Sequence, residues 1–314
     1  MKTIHLIAPS GASLDTKSPL SGIEWLSSQG IQIENAACVE RISERFSGND
    51  SERLAELNQL AQLPPQNLVM AMRGGYGIHR LLPNIEWSAI AKAIQNGLQI
   101  CGHSDFTAFE LALLAKTGAV TLSGPMLNYD FGRANDDGQV IPPNQFMWKH
   151  FLNAVDQRRL ECEILVPQAY LGSQTANSTT GMLWGGNLTV ITSLIGTPYM
   201  PSANQIQGGV LFLEDVNEHP YRIERMLMQL LDAGILTNQA AILLGGFSAY
   251  RLHDHDRGYS LESAIGAIRN RLPNTIPILT GLPFGHQADK LTLPVGAKVD
   301  LAYSANGFTL NAQW

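Results

Sequence analysis

Between Ile4 and Ser123 short apolar runs alternate with helix-length amphipathic stretches, and few folds accept that rhythm. Ile4–Ala8 reads as a strand stopped by Pro9-Ser10-Gly11, followed by a helix over Pro19–Gly30. Ile31–Ala37 reads as a second strand, and Ser51–Leu63 as a helix ended by Pro64-Pro65. Leu68–Met72, Leu98–Gly102 and Val120–Ser123 complete the strands, with a helix over Phe106–Lys116. Strands joined by helix-length segments need right-handed crossovers, which makes the sheet mainly parallel. Such sheets hold their chemistry where strand C-termini meet helix N-termini.

After Arg158 the pattern changes. The stretch Arg158–Thr180 is polar, rich in Gln, Ser, Thr and Asn, and has no helical period. It reads as a linker, giving an α/β domain at 1–157, a linker at 158–180 and a second domain at 181–314. In the second domain strand-like runs recur at Leu188–Leu194, Gly209–Leu213, Ala240–Leu244 and Lys298–Tyr303. One strong helix interrupts them, Pro220–Ala233, with Ile223, Met226, Leu227, Leu230 and Leu231 spaced three and four apart. A β-rich, barrel-like α+β domain is the expectation.

Composition excludes several partners. A formal net charge of −6, with no dense Lys/Arg cluster, gives no basis for binding nucleic acid or an anionic membrane. No apolar run reaches the roughly 18 residues of a membrane span, and the N-terminal run broken by His5 is too short for a signal-peptide core. Cys38, Cys101 and Cys162 are scattered and odd in number, which suits neither a zinc knuckle nor a disulfide framework. A cytoplasmic location is expected. His253 and His255 sit among Arg251, Arg257 and Gly258, which marks an exposed polar loop, and HExxH is absent. No metal or cofactor is expected.

Ser104 is the sharpest candidate for chemistry. In Ile-Cys-Gly-His-Ser-Asp-Phe-Thr an apolar strand stops at Gly102 and a helix begins by Phe106, which would raise the hydroxyl at the sheet edge beside helix N-terminal N–H groups. The G-x-S-x-G elbow is incomplete, since Phe106 replaces its last glycine; the alternative is a plain helix cap. Arg73-Gly74-Gly75-Tyr76-Gly77 also follows a buried strand. It fits an oxyanion donor, a phosphate cradle or simply a tight turn, but it lacks both the third glycine of the dinucleotide fingerprint and a P-loop Gly-Lys-Ser/Thr. Glu214 and Asp215 end a strongly apolar run and need partners: a catalytic histidine, or Arg222 or Arg225 of the next helix. His286 follows a Gly/Pro turn that can present it to a cleft, and His103 is a weaker base candidate because a tight turn would aim it away from Ser104. Trp184 and Asn187, in Trp-Gly-Gly-Asn, either line a substrate cleft or serve as core and turn residues.

Taken in order, Ala8-Pro-Ser, Arg73-Gly-Gly-Tyr-Gly, Gly102-His-Ser-Asp-Phe-Thr, Ser123-Gly-Pro-Met, Trp184-Gly-Gly-Asn-Leu, Leu213-Glu-Asp-Val-Asn-Glu and Phe284-Gly-His resemble the LD-carboxypeptidase family of serine peptidases. The likeness runs from about Ile4 to Gly296, and no key position departs from the pattern. It implies a flavodoxin-like α/β N-terminal domain joined to a β-rich C-terminal domain, with the active site between. It implies Ser104 as nucleophile, His286 as base and Glu214 as its orienting acid, with oxyanion donors at the backbone of Asp105 and of Gly74 or Gly75. The implied substrate is murein tetrapeptide, cleaved before its terminal D-alanine without cofactor, and the implied assembly is a homodimer. A carboxypeptidase must also hold a free carboxylate; Arg73, with Tyr76 beside it, is the candidate. Relatives of this fold cleave peptidyl-adenylates as immunity proteins, which is one alternative. A non-catalytic nucleotide- or sugar-binding protein is the other.

Overall fold

The computed structural model describes residues 3–15, 17–133, 139, 141–165 and 177–314. The chain divides into two units, Met1–Arg158 with Ala288–Val295, and Arg159–Gln287 with Gly296–Trp314.

The first unit runs β1 (Thr3–Ile7), α1 (Lys17–Ser28), β2 (Gln32–Glu34), α2 (Asp50–Gln59), β3 (Leu68–Ala71), α3 (Trp87–Gln95), β4 (Gln99–Gly102), α4 (Thr107–Thr117), β5 (Thr121–Ser123) and α5 (Gln145–Gln157). The strands lie in the order β2-β1-β3-β4-β5 and all pair in parallel. This is the flavodoxin-like order, whose direction reverses between β1 and β3 and opens a crevice at their C-terminal ends. Into that crevice lead the Pro9–Gly11 turn, the Arg73–Gly77 turn and, one strand over, the turn carrying Ser104. All four residues of β3 are buried, and so are Ile4, Leu6 and Ile7 of β1, the unbroken apolar reading of strands covered on both faces. A capping box starts α2: Asn49 Oδ1 accepts the Glu52 N–H at 3.0 Å, and Glu52 Oε2 accepts the Asn49 N–H at 2.7 Å.

The second unit begins with β6 (Arg159–Leu165), β7 (Asn177–Asn187), α6 (Leu188–Leu194), α7 (Ala203–Ile206), β8 (Gly209–Val216), α8 (Pro220–Asp232), β9 (Gln239–Ser248), α9 (Leu261–Arg269) and β10 (Ile278–Thr280). The chain then returns to the first unit as β11 (Leu293–Val295), antiparallel to β5, before β12 (Lys298–Ser304) and β13 (Gly307–Gln313) finish the second. The second sheet has the order β10-β9-β8-β7-β12-β13-β6. Its β7 to β10 half is parallel and its β7-β12-β13-β6 half antiparallel.

Three expectations change. The second unit is β-rich as expected, but its sheet is mixed and has β10 and β6 at its edges, so no closed barrel is seen among the described residues. The polar stretch read as a linker contains β6, in which Leu160, Cys162 and Ile164 alternate inward against outward-facing neighbours; residues 166–176 of it lie outside the described residues. Leu188–Leu194, read as a strand from its Val190-Ile191-Thr192 run, is helical. Asn187 Oδ1 accepts the Val190 N–H at 3.1 Å and Asp215 accepts the Thr189 N–H at 2.9 Å, and these caps outweigh the β-branched preference. The helix Pro220–Ala233 is present as α8, with its five spaced apolar residues buried.

Candidate active site

Ser104 stands between β4 and α4, in a 3₁₀ turn over Ser104–Phe106. Its φ is +64°, a left-handed conformation that costs a non-glycine residue about 1–2 kcal/mol. Gly102 admits the turn, because a Cβ there would lie 2.5 Å from the Phe106 ring. The small residue that a sharp strand-to-helix turn needs thus sits before the serine, and Phe106 fills the space. Gly74 closes against the other side: a Cβ on it would lie 2.7 Å from both Cβ and Oγ of Ser104 and 3.3 Å from the Asp105 nitrogen. Only glycine lets this backbone reach the hydroxyl. Gly75, beside it, is exposed and has a φ of +110°.

Buried hydrogen bonds join the three turns. The Asp105 carboxylate accepts from Ser10 Oγ at 2.7 Å and from the Ile78 N–H at 3.2 Å. The Gly11 N–H donates to the Gly74 carbonyl at 3.2 Å. Burial pushes the Asp105 carboxyl above its ordinary range, and these donors work against the shift. From α2, the fully buried Arg53 donates to the Pro9 carbonyl at 2.5 Å, and Glu56 accepts the Ala8 N–H at 2.7 Å.

In the second unit Glu214 is fully buried near the end of β8. Its Oε2 accepts from His286 Nδ1 at 2.8 Å and its Oε1 from Asn187 Nδ2 at 3.1 Å. A carboxylate can only accept, so Nδ1 carries the proton and Nε2 is the basic nitrogen of the ring. Gly285, at φ +122°, is required beside it: a Cβ would lie 3.0 Å from Glu214 Oε2. The preceding Phe284 packs edge-on against Phe212 of β8 at 5.1 Å, and its carbonyl accepts the Gly246 N–H at 2.8 Å. These contacts hold the histidine turn to the sheet and leave the imidazole a quarter exposed. A register shift between Leu213 and Asp215 lets consecutive acids reach one amide, since Asn187 Nδ2 also donates to Asp215 at 3.0 Å. Asp215 further accepts from the backbone and hydroxyl of Thr189, at 2.9 and 2.8 Å. Burial, with the Glu214 charge adding to it, raises the Asp215 carboxyl.

The chemistry is therefore an imidazole whose Nδ1 is held by a buried carboxylate, leaving Nε2 as the acceptor nitrogen, and a strained serine packed against a glycine backbone. Two family models match, the LD-carboxypeptidase N-terminal domain over residues 4–124 and the C-terminal domain over 180–301. A probable murein peptide carboxypeptidase of Bacillus subtilis is 32% identical over 301 residues, covering 94% of this chain and 87% of that protein. The chain belongs to the LD-carboxypeptidase family. It is a serine-type carboxypeptidase. The crystal structure of muramoyltetrapeptide carboxypeptidase from Oxalobacter formigenes superposes with a TM-score of 0.86 at 40% identity, covering 100% of this chain and 99% of that one. The microcin C7 self-immunity protein MccF of Escherichia coli is 26% identical over 320 residues, 93% of this chain and 88% of that protein.

Other candidate residues of this family member take different places. Trp184 has no exposed surface and donates its indole N–H to Gln239 at 2.8 Å, so it is core rather than cleft. Asn187 is buried among the acids, where it donates to Glu214 and caps α6. Arg73 is half-buried, donates to the Ala12 carbonyl at 2.6 Å and lies 5.7 Å from the Tyr129 ring centre. Tyr76 is 44% exposed and carries the Arg45 guanidinium 5.9 Å from its ring centre. Arg222, an alternative partner for the acids of β8, pairs with Glu218 at 3.6 Å. No group of three metal-binding side chains occurs among the described residues, and no described helix is long and apolar enough to cross a membrane. Ser10, which holds the Asp105 carboxylate, is a contributor that the sequence marked only through its Ala-Pro-Ser motif.

Proposed function

We propose that Ser104, His286 and Glu214 form one catalytic relay that removes the terminal D-alanine from murein tetrapeptide. Ser104 Oγ attacks the carbonyl of the L-centre of diaminopimelate or lysine while His286 Nε2 takes the hydroxyl proton. Backbone N–H groups of Asp105 and of Gly74 or Gly75 stabilise the oxyanion. The tetrahedral intermediate expels the D-alanine amine, which receives the proton from His286. Water, deprotonated by the same nitrogen, then hydrolyses the acyl-enzyme and regenerates the serine. Glu214 holds the imidazole with Nδ1 protonated and stabilises its cation.

The observation that carries this chemistry is Ser104 at φ +64° with the Gly74 backbone against its hydroxyl, an arrangement more costly than a helix cap requires. The substrate reading is supported by the names of the Bacillus and Oxalobacter relatives. Arg73 is the proposed receiver of the D-alanine carboxylate. The enzyme is proposed to work in the cytoplasm, where free thiols like its three buried cysteines persist, and as a homodimer.

Mass spectrometry of murein tetrapeptide incubated with the protein tests the reading. Loss of one D-alanine, insensitive to chelator, is expected. Ser104→Ala and His286→Ala should each lower kcat by about 10⁴–10⁶, with the double variant little worse. Near-normal turnover by Ser104→Ala would refute the mechanism. A peptidyl-adenylate, the substrate class of the immunity-type alternative, is the informative second substrate; its preferential cleavage would move the assignment to that amide.

A further inference from the structure

Beside the nucleophile turn lies a buried ionic cluster that the acyl-transfer steps leave unused. The Lys290 side chain is 2% exposed and that of Asp130 6%. Lys290 Nζ donates to the two carboxylate oxygens of Asp130 at 2.7 and 2.9 Å, and Asp130 also accepts the Met126 N–H at 2.8 Å. The same ammonium stands 3.3 Å from His103 Nε2, while His103 Nδ1 lies 2.9 Å from the Gly124 carbonyl. An ammonium can only donate and a carbonyl can only accept. The ring is therefore neutral, with its proton on Nδ1.

Stability alone gives little reason for this arrangement. Desolvation offsets much of the attraction in a buried ion pair, and a well-packed apolar pair commonly serves as well. What an apolar pair would not supply is the third contact, to the residue preceding Ser104. His103 is extended, at φ −158° and ψ −170°, and the left-handed Ser104 follows at once. The His103 carbonyl also accepts the Phe106 N–H at 3.1 Å and so helps close the turn. We propose that Lys290 is a positioning residue for acyl transfer: by donating to His103 Nε2 it pins the imidazole between two fixed partners and holds the turn that presents the Ser104 hydroxyl. This rests on Ser104 being the nucleophile. Lys290 touches neither substrate nor reacting atoms in this role.

Lys290→Met keeps the aliphatic stem and removes the donor, but it also strips the buried Asp130 of its cation and lowers stability for that reason. Lys290→Met/Asp130→Asn removes both charges and separates the two effects. In the double variant the melting temperature should recover to within about 3 °C of wild type. Its kcat for D-alanine release should remain about 10–100-fold low, with KM changed less than about twofold, as expected for a displaced nucleophile. A double variant that regains both melting temperature and kcat makes Lys290 purely structural and overturns the proposal. Lys290→Gln gives a second arm, because its amide can still donate to His103, and its kcat should exceed that of Lys290→Met. Equal losses in the Gln and Met variants would also overturn the proposal. Wild-type protein that releases no D-alanine would instead overturn the reading of the reaction, before any variant is compared.

Discussion

Gly74→Ala is the most direct probe of the Ser104 turn. The added methyl carbon would stand 2.7 Å from both Cβ and Oγ of Ser104. Non-bonded carbons settle at about 3.5–4.0 Å, so one partner must yield by roughly 1 Å. On one side the movable group is the serine turn, held by Asp105. On the other it is the glycine loop, held by the Gly11 N–H at 3.2 Å. A displacement of about 1 Å at a reacting atom costs on the order of 10² in rate. Overpacking costs about 1–3 kcal/mol, a drop of roughly 2–12 °C in melting temperature for a protein of this size. Steady-state D-alanine release should show kcat down about a hundredfold with KM little changed. Gly30→Ala is the backbone control: its φ is +78° and nothing lies within 4 Å of the new methyl, so it should lose about 1 kcal/mol of stability and keep full activity. A Gly74→Ala enzyme with wild-type kcat would mean that the loop does not bear on the proposed nucleophile, and the proposed mechanism would fail with it.

Glu214→Gln keeps the shape but not the charge, and it can turn an amide N–H toward His286 Nδ1. The ring then favours the opposite tautomer, and kcat should fall by about 10³–10⁴ with little change in KM; a loss under tenfold would contradict the orienting role. Trp184→Phe should leave kcat and KM within about twofold of wild type while costing about 1–3 kcal/mol, because Gln239 loses its buried donor; a raised KM would return Trp184 to the cleft. Glu110 is fully buried, accepts from Ser123 at 3.1 Å, and is raised well above the ordinary glutamate value of 4.5 by burial. Above pH 4.5 the folded state keeps a proton that the unfolded state gives up, so this group erodes stability as pH rises toward its folded pKa. Urea unfolding at pH 5 and pH 8 should therefore show Glu110→Gln gaining on wild type at the higher pH, and equal differences at both would exclude a neutral buried Glu110.

How much the sequence disclosed follows from the range of the interactions. The parallel sheet was legible because each βαβ step is local, and Ser104 because strand, glycine and helix start lie within five residues. Glu214 was legible through its cost: a carboxylate ending so apolar a strand had to find a partner. His286 had only the preceding Gly/Pro turn as a local mark, which by itself does not single out one histidine among eight. Leu188–Leu194 misled because its β-branched run favours a strand, while the caps that make it a helix come from Asn187 and from Asp215 on another strand. Trp184 stays open between cleft and core in the sequence, because a tryptophan beside paired glycines is compatible with both. Here Gly185 lets the strands approach, since a Cβ on it would fall 1.9 Å from the Phe212 carbonyl. β6 was missed although Arg159–Leu165 alternates polar and apolar throughout, a period-two signal hidden by the polar stretch after it.

The return of β11 to the first sheet bears on how the chain matures during synthesis. When a ribosome has released only the first 158 residues, β5 still lacks its antiparallel neighbour and Asp130 its cation, because both arrive with Ala288–Val295. The nascent Ser104 unit must wait, one strand short, while the whole of Arg159–Gln287 is translated. Cutting the gene at the apparent boundary after Arg158 would therefore produce an open-edged fragment, prone to pairing with other copies through β5, rather than a self-sufficient domain.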